Sequence, residues 1–255
     1  MFKTSMRGFL VAAAFLVAPA MADLTGPGFA ITAIDAATGR TDQVTFEGSW
    51  SQDGTTYRWT SSETHNFYGS DGTYLGSLNP AGSSQSSSIE YVVDPIVNLS
   101  FSVAAGNATT TFTIGSALLS FPTISSAIAR ASVGFSITDF SGGDGATLTG
   151  IGGHSGTAGY VAQYNGFAGT NSGTSFLEAL PSIVAAPFLT ATDSVTTPAT
   201  GYTPIGSVSD MSTLVAFELS AGDFASGTST FEIIPEPTTG VLLLLAAGAF
   251  AARRR

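Results

Sequence analysis

Apolar and polar side chains alternate through most of this chain. Val44, Phe46, Gly48 and Trp50 alternate with Thr45, Glu47 and Ser49, and Val97, Leu99, Phe101 and Val103 with Asn98, Ser100 and Ser102. The same period runs through Thr110, Phe112 and Ile114, then Val133, Phe135 and Ile137, then Val215, Phe217 and Leu219, and on to Phe231 and Ile233. A period of two puts every second side chain on one face, so each run predicts a strand with one face in a core and one in water. Asp53-Gly54, Asp71-Gly72 and Asp144-Gly145 supply hairpin dipeptides, and Gly106-Asn107 separates two alternating runs. Roughly ten to twelve short strands at this spacing predict an all-β fold, an antiparallel β-sandwich of jelly-roll-like form. One short helix is expected, because Ser175 and Glu178 have the spacing of a capping box ahead of Leu180, with Pro181 as the stop. The glycine-rich stretch from Ser141 to Gly159 and the stretch from Leu189 to Thr203 read as long loops on a single domain.

Both ends depart from this pattern. Lys3 and Arg7 precede an apolar run from Gly8 to Val17, and Ala20 and Ala22 offer the small residues that signal peptidase reads. Cleavage after Ala22 leaves Asp23 as the new N-terminus. At the other end, Pro235-Glu236-Pro237 precedes an uncharged apolar run from Val241 to Ala252, closed by Arg253, Arg254 and Arg255. The arginines are a membrane stop that stays in the cytoplasm, which puts the body on the far side of the membrane. As a transmembrane helix, residues 240–252 span roughly 20 Å against a hydrocarbon core of about 30 Å, a weak permanent anchor. The expected organisation is a signal peptide over 1–22, an extracytoplasmic sandwich over 23–231 and a C-terminal sorting signal over 232–255.

The C-terminal arrangement resembles the PEP-CTERM sorting signal of Gram-negative bacteria. The resemblance rests on Pro235, Glu236 and Pro237, on the apolar stretch after them and on the terminal arginines. It implies that a membrane-embedded exosortase, acting as a cysteine enzyme, recognises the tripeptide and removes the tail. It also implies passage through the inner membrane, then delivery to the cell surface or the extracellular matrix, often in organisms that secrete exopolysaccharide. Two prolines flanking the glutamate keep the site extended and free of helix, which suits a protease substrate.

Composition narrows what the body does. Between residues 23 and 234 there are 17 acidic residues against Arg40, Arg58 and Arg130, a formal charge of −14, with no lysine. Nucleic acid is excluded as a partner by that field, and so is anionic lipid. The chain has no cysteine, which removes disulfides, thiol catalysis and thiolate metal sites. Its 18 phenylalanines supply a core that a disordered glycine- and serine-rich chain lacks.

Candidate chemistry in the body is sparse. Trp50, Tyr57 and Trp59 sit in the aromatic centre of the chain, and exposed rings of this kind stack on the C–H edges of sugars. They are the candidate residues for binding an exopolysaccharide, the alternative to a structural or adhesive body. Asp139 and Asp144 flank a glycine-rich loop and offer hard oxygens to Ca2+, although the spacing matches no calcium motif; no other cofactor is expected. No catalytic residue is singled out and no enzymatic activity is expected. His65 and His154 are the only histidines, and Gly153-His154-Ser155-Gly156 misses the nucleophile elbow because Thr157 stands where the second glycine belongs.

Overall fold

The structure, a computed structural model, describes residues 22–83, 85–140, 143–168, 170 and 172–236. Sixteen strands form in chain order. They are β1 (Asp23–Asp35), β2 (Thr41–Phe46), β3 (Ser49–Trp50), β4 (Thr56–Ser61), β5 (His65–Tyr68), β6 (Tyr74–Leu78), β7 (Ser87–Val92) and β8 (Ile96–Ala105). There follow β9 (Thr110–Thr138), β10 (Ala146–Gly150), β11 (Tyr160–Tyr164), β12 (Thr174–Ala179), β13 (Ser182–Ala185), β14 (Thr190–Thr197), β15 (Thr203–Leu219) and β16 (Phe224–Pro235). Every pairing among them is antiparallel.

The 29-residue β9 organises the molecule. Its first half pairs with β1 and with the second half of β15, while its second half pairs with β16 and β14. If β9 ran straight, Phe112 and Phe135 would lie roughly 75 Å apart. Both rings instead pack on Phe217, with centroids at 5.9 and 6.1 Å. The strand therefore folds back on itself and contributes to two facing layers. The bend falls at Pro122 to Ser126, the one part of β9 whose side chains turn mostly to solvent. Pro122 has no ladder partner there, so its missing N–H costs nothing.

One layer contains β2, β1, the first half of β9, β15, β11 and β12, with β10 and β13 attached beside β15. The other contains β14, the second half of β9, β16, β8, β7, β4 and β3, with β6 and β5 also carried on β8. Between them lies a continuous core that includes Phe29, Phe67, Phe101, Phe112, Phe217 and Phe231, all fully buried. The molecule is an all-β, sandwich-like body whose layers are joined through β9 and β15. Both ends of the described chain lie on the bend side, since Asp23 pairs with Ser120 and Pro235 with Ala127. The opposite pole holds residues 105–110, 138–140, 143–145 and 219–224.

Three expectations need correcting. The predicted helix at Ser175–Leu180 is strand β12, and no helix occurs among the described residues. Opposite it, Ala162 pairs with Leu177 and Gln163 with Ser175, so Phe176 is an extra residue in a β-bulge. The bulge shifts the phase by one and brings Ser175 and Glu178 to the same side, the relation that a helix gives to i and i+3. The stretch from Leu189 to Thr203 contains β14, an edge strand whose Ala191 and Val195 pack on the core while exposed Asp193 between them interrupts the apolar period. Inside the glycine-rich stretch, Ala146, Leu148 and Gly150 turn inward as β10. The final strand itself continues through Glu232, Ile233 and Ile234 to Pro235.

No helix among the described residues is long and apolar enough to cross a membrane. The expected sorting helix, with Pro237 and Arg253, Arg254 and Arg255, lies outside the described residues, as do residues 1–21 with Ala20.

Candidate functional site

The Pro-Glu-Pro segment begins inside the last strand. Over Phe224 to Glu232, β16 is paired on both sides, to β8 and to β9. The ladder to β8 ends at Glu232 opposite Ile96, followed by one bond from Ile233 N–H to the Pro95 carbonyl at 2.9 Å. The ladder to β9 continues: Ile234 faces Ile128, Pro235 faces Ala127, and Glu236 N–H donates to the Ser126 carbonyl at 2.7 Å. Backbone groups of successive residues point to opposite edges of a strand. Ile233 points towards β8 and Glu236 towards β9, so the N–H that Pro235 lacks belongs to the edge that β8 has already left. Proline is thus compatible with pairing to β9 while blunting the free edge. The side chains of Pro235 and Glu236 are exposed. Just upstream, the Tyr202 hydroxyl donates to Glu232 Oε2 at 2.9 Å, which raises the Tyr202 pKa because that carboxylate favours the protonated phenol.

The aromatic centre is divided between core and surface. Trp59 is stacked between Phe29 and Phe46, with centroids at 4.7 and 4.6 Å. Tyr57 is buried, its hydroxyl donating to Glu47 Oε2 at 3.0 Å and accepting from Gly48 N–H at 2.6 Å. Neither ring presents a face to a ligand. Trp50 is 39% exposed and touches Tyr57 edge-on, beside a shallow cleft that it lines with Ala22, Asp23 and Gly54. The three residues expected to bind sugar therefore do not form one platform.

Asp139 and Asp144 lie at the pole opposite the chain ends. Asp139 is buried, and its Oδ2 accepts from Phe188 N–H at 2.7 Å and Gly145 N–H at 3.2 Å, which ties the ends of two loops together. Its Oδ1 has no hydrogen-bond partner among the described residues. Asp144 is exposed. A third acid, buried Asp223, accepts from the Ser220 hydroxyl and, at 3.4 Å, from Phe140 N–H. Burial pushes the Asp223 pKa up, and the charges of Asp139 and Asp144 push the same way, against those two hydrogen bonds. Among the described residues, no three His, Cys, Asp or Glu side chains are grouped to hold a metal ion.

Beside Asp223 is a cleft of about 290 Å³ lined by Ser83, Gln85, Thr138, Phe140, Asp223 and Ser226, among others. Phe140, at its rim, is 76% exposed, and Phe188 on the adjoining loop is 73% exposed. Sequence reasoning singled out Asp139 and Asp144 at this pole but missed the cleft and its two exposed rings, because Phe140 and Phe188 resemble core residues in a chain rich in phenylalanine. The one available signal was their place beyond the end of an alternating run.

His154 and Ser155 share a single partner, Glu178. Glu178 Oε1 accepts from Ser175 Oγ at 2.7 Å and from His154 N–H at 2.9 Å, and it lies 3.1 Å from His154 Nδ1. Ser155 Oγ donates to Oε2 at 3.2 Å. Burial works against ionisation of Glu178, but these donors outweigh it and hold its pKa down to about 2. Ser175 Oγ sits 3.0 Å from Nδ1, the nitrogen that also faces Glu178, so no serine–imidazole–carboxylate relay is set up. The cluster clasps the loop over residues 151–157 onto β12.

An all-β body thus leads, without a break in its last strand, into a Pro-Glu-Pro tail. The PEP-CTERM protein-sorting motif is matched over residues 234–255, and the chain carries that sorting signal for export. No curated protein matches the chain. Among solved structures, it is similar to "Structure of infectious bursal disease virus Gx strain" at 13% identity, over 92% of this chain and 54% of that one, with a TM-score of 0.22. A second similarity is to the Gt strain of the same virus, at 13% identity, over 85% and 66% of the two chains, with a TM-score of 0.15. The chain spans about half the length of the first of these.

Proposed function

We propose that this chain is an exported surface protein whose sandwich serves as a structural or adhesive body. In this reading signal peptidase removes residues 1–22, and the C-terminal tail holds the protein briefly in the inner membrane. An exosortase-type enzyme then cuts the tail, and the body passes to the cell surface or the extracellular matrix. The observation that carries the reading is the sorting motif at residues 234–255, joined directly to β16. The start of β1 at Asp23, the residue that cleavage after Ala22 exposes, supports it further. The net charge of the body suits a soluble protein kept apart from nucleic acid and anionic lipid.

The test is intact mass and cell fractionation in the protein's own host, beside a variant with Pro235, Glu236 and Pro237 all replaced by alanine. Wild type is expected to lose its tail and leave the inner membrane, and the variant to keep the tail and remain there. Full-length protein in the inner membrane in both cases overturns the reading.

A second reading, binding of an exopolysaccharide, is favoured by the cleft at Phe140. There an exposed ring adjoins hydroxyl, amide and carboxyl groups, the combination that sugars use for stacking and hydrogen bonding. Retention of the body on the host's polysaccharide, lost in Phe140→Ala and kept in Trp50→Ala, is the expected result. Equal retention of both variants removes this cleft as the site. Calcium belongs to the same reading only as a ligand of Asp139 and Asp144, and added chelator tests it in the same experiment.

A further inference from the structure

We propose that the folded body presents the sorting motif to the processing enzyme. The end of β16 is the docking edge, and closure of the β9–β16 ladder is what makes the motif readable. This inference rests on the sorting function proposed above and adds a recognition surface and a folding requirement to it.

Three observations carry it. First, Pro235 and Glu236 are not a free linker: Pro235 faces Ala127 in register, and Glu236 N–H is bonded to Ser126 at 2.7 Å. Second, that ladder occupies only one edge of the strand. The pairing with β8 ends at Glu232, the last bond on that side is from Ile233 to Pro95, and the side chains of Pro235 and Glu236 face water. Among the described residues, no strand pairs with the outer edge of Ile234 to Glu236, and an extended segment of this kind is the form in which a cleft binds a peptide by strand addition. The open edge offers carbonyl oxygen at Pro235 but no N–H, so it accepts hydrogen bonds from an enzyme and does not template a second copy of itself. Third, the segment is the C-terminal end of the described chain, and it pairs with the strand that links both layers. A chain whose sandwich has not closed lacks the β9 edge and so offers a collapsed or fluctuating tail.

The partner is a membrane-embedded endopeptidase that reads a short acidic, proline-flanked strand. Fixing each backbone residue costs about 1–2 kcal/mol, and the body has already met that cost for the two motif residues it holds.

The experiment inserts a flexible Gly-Ser segment, about six residues long, between Ile234 and Pro235 of the full chain. The motif, apolar run and arginines stay intact, and residues 224–234 keep their ladders. Tail removal is followed by pulse labelling in the native host, beside wild type and the Pro235-Glu236-Pro237→Ala variant. The spacer variant is expected to be processed at least about tenfold more slowly than wild type, the equivalent of ~1.4 kcal/mol of lost ordering. Equal or faster processing overturns presentation by the body while leaving the sorting signal standing. Failure of wild type itself to lose the tail overturns both the sorting reading and this one.

A second measurement does not depend on the variant folding or on the enzyme. In full-length protein from a host lacking the processing enzyme, the Glu236 amide is expected to exchange with deuterium well below its free-peptide rate. Exchange at the free-peptide rate shows the motif undocked and overturns the proposal.

Discussion

Tyr91 and Gly28 are joined across the sandwich: the phenolic hydroxyl of Tyr91 donates to the Gly28 carbonyl at 2.6 Å. The same oxygen accepts the Ala117 N–H at 2.6 Å, so one side chain from β7 satisfies backbone groups on β1 and β9. Tyr91 is fully buried, and burial pushes its pKa well up, leaving it a neutral donor. Tyr91→Phe keeps the ring and strands both backbone groups. The expected loss is about 1–3 kcal/mol, read as a lower denaturant midpoint at unchanged slope. Loss of less than half a unit on that scale would mean that water enters and replaces the hydroxyl.

Gly227 provides a second test of packing. It lies on β16 directly between Phe101 of β8 and Phe135 of β9, and a β-carbon placed there would stand 2.4 Å from the Phe135 ring and 2.6 Å from Phe101. The two rings fill the space that a side chain would need. Gly227→Ala is expected to cost about 1–3 kcal/mol by overpacking, although alanine favours strands over glycine. Thermal unfolding of the body measures it, and an unchanged or raised midpoint would contradict this packing.

Acid sensitivity follows from Glu178. Its pKa falls from an ordinary value of 4.5 to about 2 in the folded protein. Its stabilising contribution is therefore complete above pH 4.5 and disappears as pH falls from there towards 2. Glu178→Gln keeps the shape but weakens the clasp on His154, Ser155 and Ser175 by about 1 kcal/mol at neutral pH. The gap in stability between wild type and variant is expected to be constant above pH 5 and to close near pH 2. A gap independent of pH would assign the effect to shape alone.

Asp223 has the opposite sign. Its folded pKa is raised above the ordinary 3.8, so the native state holds its proton more tightly than the unfolded chain does. Stability consequently falls as pH rises through the window between those two values, and the penalty persists at neutral pH. Asp223→Asn, which removes the charge beside Asp139 and Asp144, is expected to raise the melting temperature at pH 7 by a few degrees and by nothing below pH 3. A lower melting temperature at pH 7 would show that both carboxylate oxygens are needed as acceptors for Ser220 and Phe140.

The strand alternation of β8 and β16 was legible because their inward residues are apolar; Val97, Leu99, Phe101 and Val103 all turned out buried. β14 was not, since its core-facing Ala191 and Val195 are only half-buried and Asp193 stands between them, which breaks the apolar period. Ser175 and Glu178 misled because a bulge reproduces the helical i, i+3 relation, and no local signal marks a bulge that depends on the facing strand. The continuity of β9 was hidden by Pro122, a breaker in any straight strand and harmless at a bend. Of the candidate site, the tripeptide could be read directly. Its docking could not, because the pairing of Pro235 with Ala127 joins residues more than a hundred positions apart.

The placement of β16 also has a mechanical meaning. It leaves the molecule at the bend, and the cleft with Phe140 lies at its other end, beside Phe224. A pull between the tail and anything seated in that cleft would run along the strand. Nine residue pairs to β8 and twelve to β9 would be loaded together in shear, perpendicular to their hydrogen bonds, rather than peeled one after another. A body built this way resists tension applied along that axis.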